Sequence, residues 1–113
     1  MEFPPSVLRL PFRNVPFAGG IYLRLLPGPF VQWALRRFVR SGRPALVYIH
    51  PPEFDPGKPR LPMPFAAYVL HYARLDAVRQ KLPRLLDRFT FAPLGEVLAR
   101  LDRERRLLTW KLQ

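Results

Sequence analysis

Two side chains in this sequence, His50 and His71, are of the type that transfers protons near neutral pH. His50 has the more informative surroundings. From Ala45 to Ile49 the chain is apolar throughout, and Val47, Tyr48 and Ile49 are β-branched or aromatic, which predicts a strand buried on both faces, as in a parallel sheet. Pro51 and Pro52 follow, and neither can donate to a ladder, so the strand must stop at the imidazole. His50 is then expected at the C-terminal mouth of a strand, the edge at which open α/β sheets and β/α barrels bind ligands. Two roles fit that position: a proton donor to a reacting group, or a buried imidazole hydrogen-bonded to a neighbouring loop.

The elements that must hold such a strand lie on both sides of it. Pro29 pre-sets the first turn of a helix over 30–40, and Gly42 stops it. Phe30, Trp33, Ala34 and Phe38 recur at helical spacing with Arg36, Arg37 and Arg40 opposite, so Trp33 and Phe38 are expected to face the core. Helix 30–40 followed by strand 45–49 is half of an α/β unit. Earlier, Ser6 to Leu10 predicts a short edge strand closed by Pro11. The Gly19-Gly20 pair marks a tight turn or a close approach of backbone to a ligand. Just beyond it, Tyr22 and Arg24 are of types that bind sugar hydroxyls or an anion, or that serve as a packed ring and a solvated charge.

After the strand, residues 53–62 form a proline-punctuated loop at the same mouth as His50. Phe65 to Tyr72 predicts a short helix carrying His71. Asp76 is placed to cap a helix from Ala77 to Arg88, which Pro83 should kink or split. Pro93 opens a last helix with Leu94, Val97, Leu98 and Leu101 inward. Trp110, in a tail that is basic and then apolar, is expected to pack back on the domain.

At 113 residues and 49% hydrophobic content the chain supports one modest core, hence a single domain. No apolar run approaches the ~20 residues of a membrane span, and Met1-Glu2-Phe3-Pro4-Pro5 lacks the basic and apolar regions of a signal peptide, so a cytoplasmic chain, at most peripheral to a membrane, is expected. Without cysteine there is neither disulfide nor thiolate metal site. The net charge of +11 would attract nucleic acid, anionic lipid or another acidic polymer. Fifteen prolines scattered among apolar residues act as loop punctuation.

Several ordered pieces together resemble one family. They are the Glu2-Phe3-Pro4-Pro5-Ser6 start, the stretch from Arg13 to Pro27 with Gly19-Gly20, Tyr48-Ile49-His50-Pro51-Pro52-Glu53-Phe54-Asp55, His71-Tyr72, and Phe89-Thr90-Phe91-Ala92-Pro93-Leu94. Over about Glu2 to Ala99 the chain resembles the C-terminal part of polysaccharide deacetylases of the NodB homology type, in particular the subgroup encoded in exosortase-linked exopolysaccharide loci. The resemblance implies the C-terminal portion of an incomplete (β/α) barrel, few strands flanked by amphipathic helices, so that 1–113 is one partial domain. It also implies an N-acetylated polysaccharide as substrate and a divalent metal such as zinc in the complete enzyme. His50 matches the family's histidine that protonates the departing amine, and Tyr22 and Arg24 would lie near the substrate mouth.

The family's adjacent Asp pair and paired His are both missing here, so no metal is expected on this chain alone. A truncated reading frame, a split-gene half and a relic all fit. A piece of this kind is expected to be inactive by itself, and to associate with a separate N-terminal half or with its own copies. The competing function is a small basic module binding nucleic acid or an anionic surface. The spread of arginines over several segments, without a stacking-aromatic motif, speaks against nucleic acid.

Overall fold

Pro11 and Phe12 reverse the chain between two short strands, β1 (Val7–Leu10) and β2 (Arg13–Pro16), which pair antiparallel with Leu8 opposite Val15 and Leu10 opposite Arg13. The computed structural model describes residues 5–104. Alternation along β1 turns Leu8 into the core and Arg9 out to solvent. Five helices follow: α1 (Gly20–Leu25), α2 (Gly28–Arg40), α3 (Phe65–Tyr72), α4 (Asp76–Arg88) and α5 (Leu94–Arg103). The described residues thus form a mixed α/β fold of five helices and one two-stranded antiparallel sheet.

Helix α2 organises the core. Val31, Ala34, Leu35 and Phe38 recur at the spacing of one helical face and are all buried, packed with Leu8, Phe17, Leu23, Val78 and Leu85. Phe17 is fully buried and meets Phe38 edge to face at 5.7 Å between ring centroids; burying a side chain of that size stabilises by about 1.5–3 kcal/mol. Pro29 stands in the first turn of α2. At its other end Gly42 takes φ 77 and donates to the Val39 carbonyl, a conformation in which a Cβ would be strained. Trp33 does not face the core as expected. It is 44% exposed, because the four-residue spacing that buries Ala34 and Phe38 leaves Trp33 on the arginine side of the helix.

The segment 45–49 departs from the expected buried strand. It is extended and its Ala45, Val47 and Ile49 pack against the core, but it makes a single parallel bridge, Tyr48 with Gly19, through the Tyr48 amide and the Ala18 carbonyl at 3.2 Å. The reason is local. The backbone it bridges to, Ala18-Gly19, turns into α1 at Gly20 after one rung. Two residues earlier a side chain replaces the missing strand: the buried Ser6 hydroxyl accepts from the Leu46 amide at 2.7 Å and donates to the Leu46 carbonyl at 3.2 Å.

Helix α4 continues through Pro83, so the expected interruption does not split it. Pro83 lacks the amide that would bond the Arg79 carbonyl, and both residues are exposed, on the solvent side of the helix. Asp76 is the first residue of α4 and not its cap; its carboxylate accepts from the Gln80 side chain at 3.0 Å and complements the helix dipole. Arg74, at the corner between α3 and α4, is the one described non-glycine residue with positive φ, 50°. Trp110 lies outside the described residues.

Candidate functional site

His50 is extended (φ −99, ψ 148) and opens a 3-10 turn, Pro51–Phe54. Its backbone is held twice by one residue: the His50 amide donates to Oε2 of Glu53 at 3.0 Å, and the Glu53 amide donates to the His50 carbonyl at 2.9 Å. The two bonds form a reciprocal box at the start of the turn, with both partners fixed within four residues. The imidazole itself is exposed, so it is not the buried ring of the alternative role. It meets the Tyr48 ring edge to face, with ring centroids 5.9 Å apart.

The glycine pair supplies the floor beneath these groups. A Cβ on Gly19 would lie 2.6 Å from Cζ and Oη of Tyr48, and one on Gly20 would lie 1.5 Å from Oε2 of Glu53. The close approach that the Gly-Gly step predicts is therefore made by two side chains of this chain. One turn beyond Gly20, Arg24 lies beneath Glu53, with Nε 3.7 Å from Oε1 and side-chain exposures of 4% and 12%. Its Nη1 donates to the Ala73 carbonyl at 2.8 Å and its Nη2 to that of Leu70, closing the C-terminal end of α3. Nε has no hydrogen-bond partner and relies on the ion pair.

Lys81 of α4 does for α1 what Arg24 does for α3. Its ammonium donates to the carbonyls of Leu23 (2.6 Å), Leu26 (2.7 Å) and Arg24 (3.2 Å), the free acceptors at the end of α1. Burial pushes the Lys81 amine below the ordinary lysine range; the Arg74 charge adds to this and Asp76 opposes it. On the other side of His50, the Tyr72 hydroxyl pins the proline loop to α3, accepting from the Leu61 amide at 2.9 Å and donating to the Pro59 carbonyl at 3.1 Å. Pro51, Pro52, Pro59 and Leu61 border an open hollow of about 600 Å³ next to His50, with Asp55 and Lys58 at its rim.

Of the residues singled out from the sequence, His50 and Arg24 are brought together, joined through Glu53. Arg24 is turned inward and holds the mount of His50. Tyr22 is half-buried two residues away on α1, a spacing at which helical side chains do not share a face. Glu53 had a detectable signal, since a carboxylate three residues after a turn-opening residue is the spacing of a capping box. Ser6, Tyr72 and Lys81 had none, because their partners are backbone groups at distant positions. Among the described residues no three His, Asp or Glu side chains converge as metal ligands would.

The arrangement is an exposed imidazole whose main chain is held by Glu53, followed directly by the two prolines that line an open hollow, on a small mixed α/β domain. The chain belongs to the family described as a domain of unknown function, DUF3473, whose sequence profile matches residues 1–99. This domain is known as the C-terminal part of polysaccharide deacetylase-like proteins. No curated protein and no solved structure matches the chain.

Proposed function

We propose that this chain is the C-terminal portion of a polysaccharide N-acetyl deacetylase of the NodB homology type, of the subgroup linked to exosortase exopolysaccharide loci. In this role it supplies the general acid and part of the sugar cleft, as the closing segment of an incomplete β/α barrel. The observation that carries the proposal is His50: exposed at the side chain, fixed at the backbone by Glu53, and followed by Pro51 and Pro52, which line an open hollow. Family membership over residues 1–99 supports it.

In the reaction, water adds to the acetyl carbonyl, and as the C–N bond of that adduct breaks a protonated His50 gives its ring proton to the sugar nitrogen, so that acetate and a neutral amine are released and the imidazole is left neutral. Glu53 holds the main chain and leaves the ring free to face the leaving group. A divalent ion does not fit the described residues, which lack a convergent ligand set, and no step here runs through one. General acid help of this kind contributes about a hundred- to ten-thousand-fold, too little to make a deacetylase from this chain alone.

The test is acetate release from an N-acetylated oligosaccharide. The 113-residue chain by itself should release none. Adding a matching N-terminal half with a divalent metal should give turnover, and His50→Ala in that pair should lower kcat by about a hundredfold or more. Full activity of His50→Ala in the pair would refute the acid assignment, and metal-dependent turnover by the chain alone would refute the inactive reading.

A further inference from the structure

Acidic residues are distributed unevenly along this chain. Between Phe3 and Pro52 there is no Asp or Glu, while seven arginines fall in the same stretch. One of them, Arg24, is buried; the other six are exposed. On α2, Trp33, Arg36, Arg37 and Arg40 follow the i, i+3, i+4, i+7 spacing of a single helical face, opposite the face that fills the core. Together with Arg9 of β1 and Arg43 they line an open groove of about 880 Å³ between the hairpin and the helix. No carboxylate of the described residues pairs with any of these five arginines; the ion pair among the described residues, Arg24 with Glu53, lies outside the groove.

The hairpin and the helix that form the groove also carry exposed apolar side chains. The hairpin that contributes Arg9 carries Phe12 at its turn, fully exposed and followed by Arg13. Trp33 is half exposed, with Phe30 at 5.6 Å on one side and the Arg37 guanidinium 5.9 Å from its ring centre. Val39, on the same helix, is also exposed. A free phosphate or a nucleic-acid backbone would satisfy the arginines and leave Phe12 in water. Trp33, already flanked by Phe30 and Arg37, is poorly placed as a stacking platform for bases. A bilayer of anionic phospholipid satisfies both features: headgroup phosphates meet the guanidinium groups, and aromatic side chains enter the boundary between headgroups and acyl chains.

We infer that the face formed by the β1–β2 turn and the arginine side of α2 docks on an anionic phospholipid surface, with Phe12 as the inserted group and Arg9, Arg36, Arg37, Arg40 and Arg43 as phosphate contacts. The contact is peripheral, since no helix of the described residues is long and apolar enough to cross a membrane. It is independent of the deacetylase proposal, because the docking face and His50 use different residues.

The experiment is co-sedimentation of the full chain with vesicles of phosphatidylcholine, with and without phosphatidylglycerol. Binding should require phosphatidylglycerol and weaken as salt is raised. Each arginine near the surface is worth about fivefold in partitioning, so R36Q/R37Q/R40Q should lose on the order of a hundredfold. F12S should weaken binding severalfold while keeping its salt dependence, and R100Q/R103Q on α5 should leave binding unchanged. All these positions are exposed, and unchanged far-ultraviolet circular dichroism would show that the variants fold. Equal binding to neutral vesicles, undiminished binding by the triple variant, or displacement from the vesicles by single-stranded DNA or an acidic polysaccharide at equal charge would overturn the inference.

Discussion

Glu53 lies so close over Gly20 that a Cβ on the glycine would fall 1.5 Å from its Oε2. The same oxygen accepts the His50 amide, and Oε1 faces the Arg24 guanidinium. Gly20→Ala must therefore push the carboxylate off both partners. The expected cost is about 1–3 kcal/mol in urea unfolding. In a Glu53→Ala background the same substitution should be neutral, or should stabilise by up to about 1 kcal/mol, because alanine is the better helix former once the carboxylate is gone. A cost that persists in that background would show that something other than Glu53 excludes the methyl group.

Arg24→Met should be among the most damaging single changes to this fold. It leaves the Leu70 and Ala73 carbonyls without this donor and the Glu53 carboxylate without its cation, a loss of about 3–5 kcal/mol. Arg24→Lys should recover only part, because an ammonium cannot span two carbonyls and a carboxylate in the geometry of the planar fork. The readout is the urea midpoint at constant m-value; if Arg24→Met is too unstable to purify, Arg24→Lys still gives the sign.

Lys81→Met should cost about 1.5–3 kcal/mol, since it uncovers three carbonyls at the end of α1. The pH dependence has a definite sign. The folded value of Lys81 is lowered from the ordinary 10.5, so between the two values the unfolded chain holds more protons than the folded one. Wild-type stability should therefore gain a component that rises with pH in that alkaline window and is fully present above 10.5. The difference between wild type and Lys81→Met, followed by urea unfolding across the window, isolates it. A difference that shrinks with rising pH would contradict the direction.

Tyr72→Phe removes the hydroxyl that joins the Pro59 carbonyl to the Leu61 amide. Global stability should fall by about 1–2 kcal/mol. Hydrogen exchange at the Leu61 amide should accelerate by more than the global change accounts for, because the loop beside His50 loses its anchor to α3.

Helices α2 to α5 were legible in the sequence because their signals are local, while α1 was not among the expected helices. Proline at positions 29, 64 and 93 opens α2, α3 and α5, and Gly42 closes α2. The hairpin was half visible: β1 was expected and β2 was not, since Arg13-Asn14-Val15-Pro16 has no alternation of its own and is a strand only because β1 lies beside it. The segment 45–49 misled for the complementary reason. Its composition is that of an interior strand, yet whether it joins a sheet depends on how much backbone runs alongside, and α1 begins too soon. At the candidate site, His50 could be found from the prolines after it. The inward role of Arg24 could not, because its partners lie 46 and 49 residues away.

Arg24 and Lys81 also govern the order in which the chain can assemble. Helix α1 has six residues and α3 eight, both below the length of about 12–15 at which an isolated helix is even marginal in water. The end of α1 is closed by α4, and the end of α3 is closed by α1, over sequence separations of up to 58 and 49 residues. Neither short helix can persist until its distant cation arrives, so both should form late, after α2 and α4 have met. Their amides should then exchange through one shared opening, and the mount of His50 should appear or vanish with the whole domain.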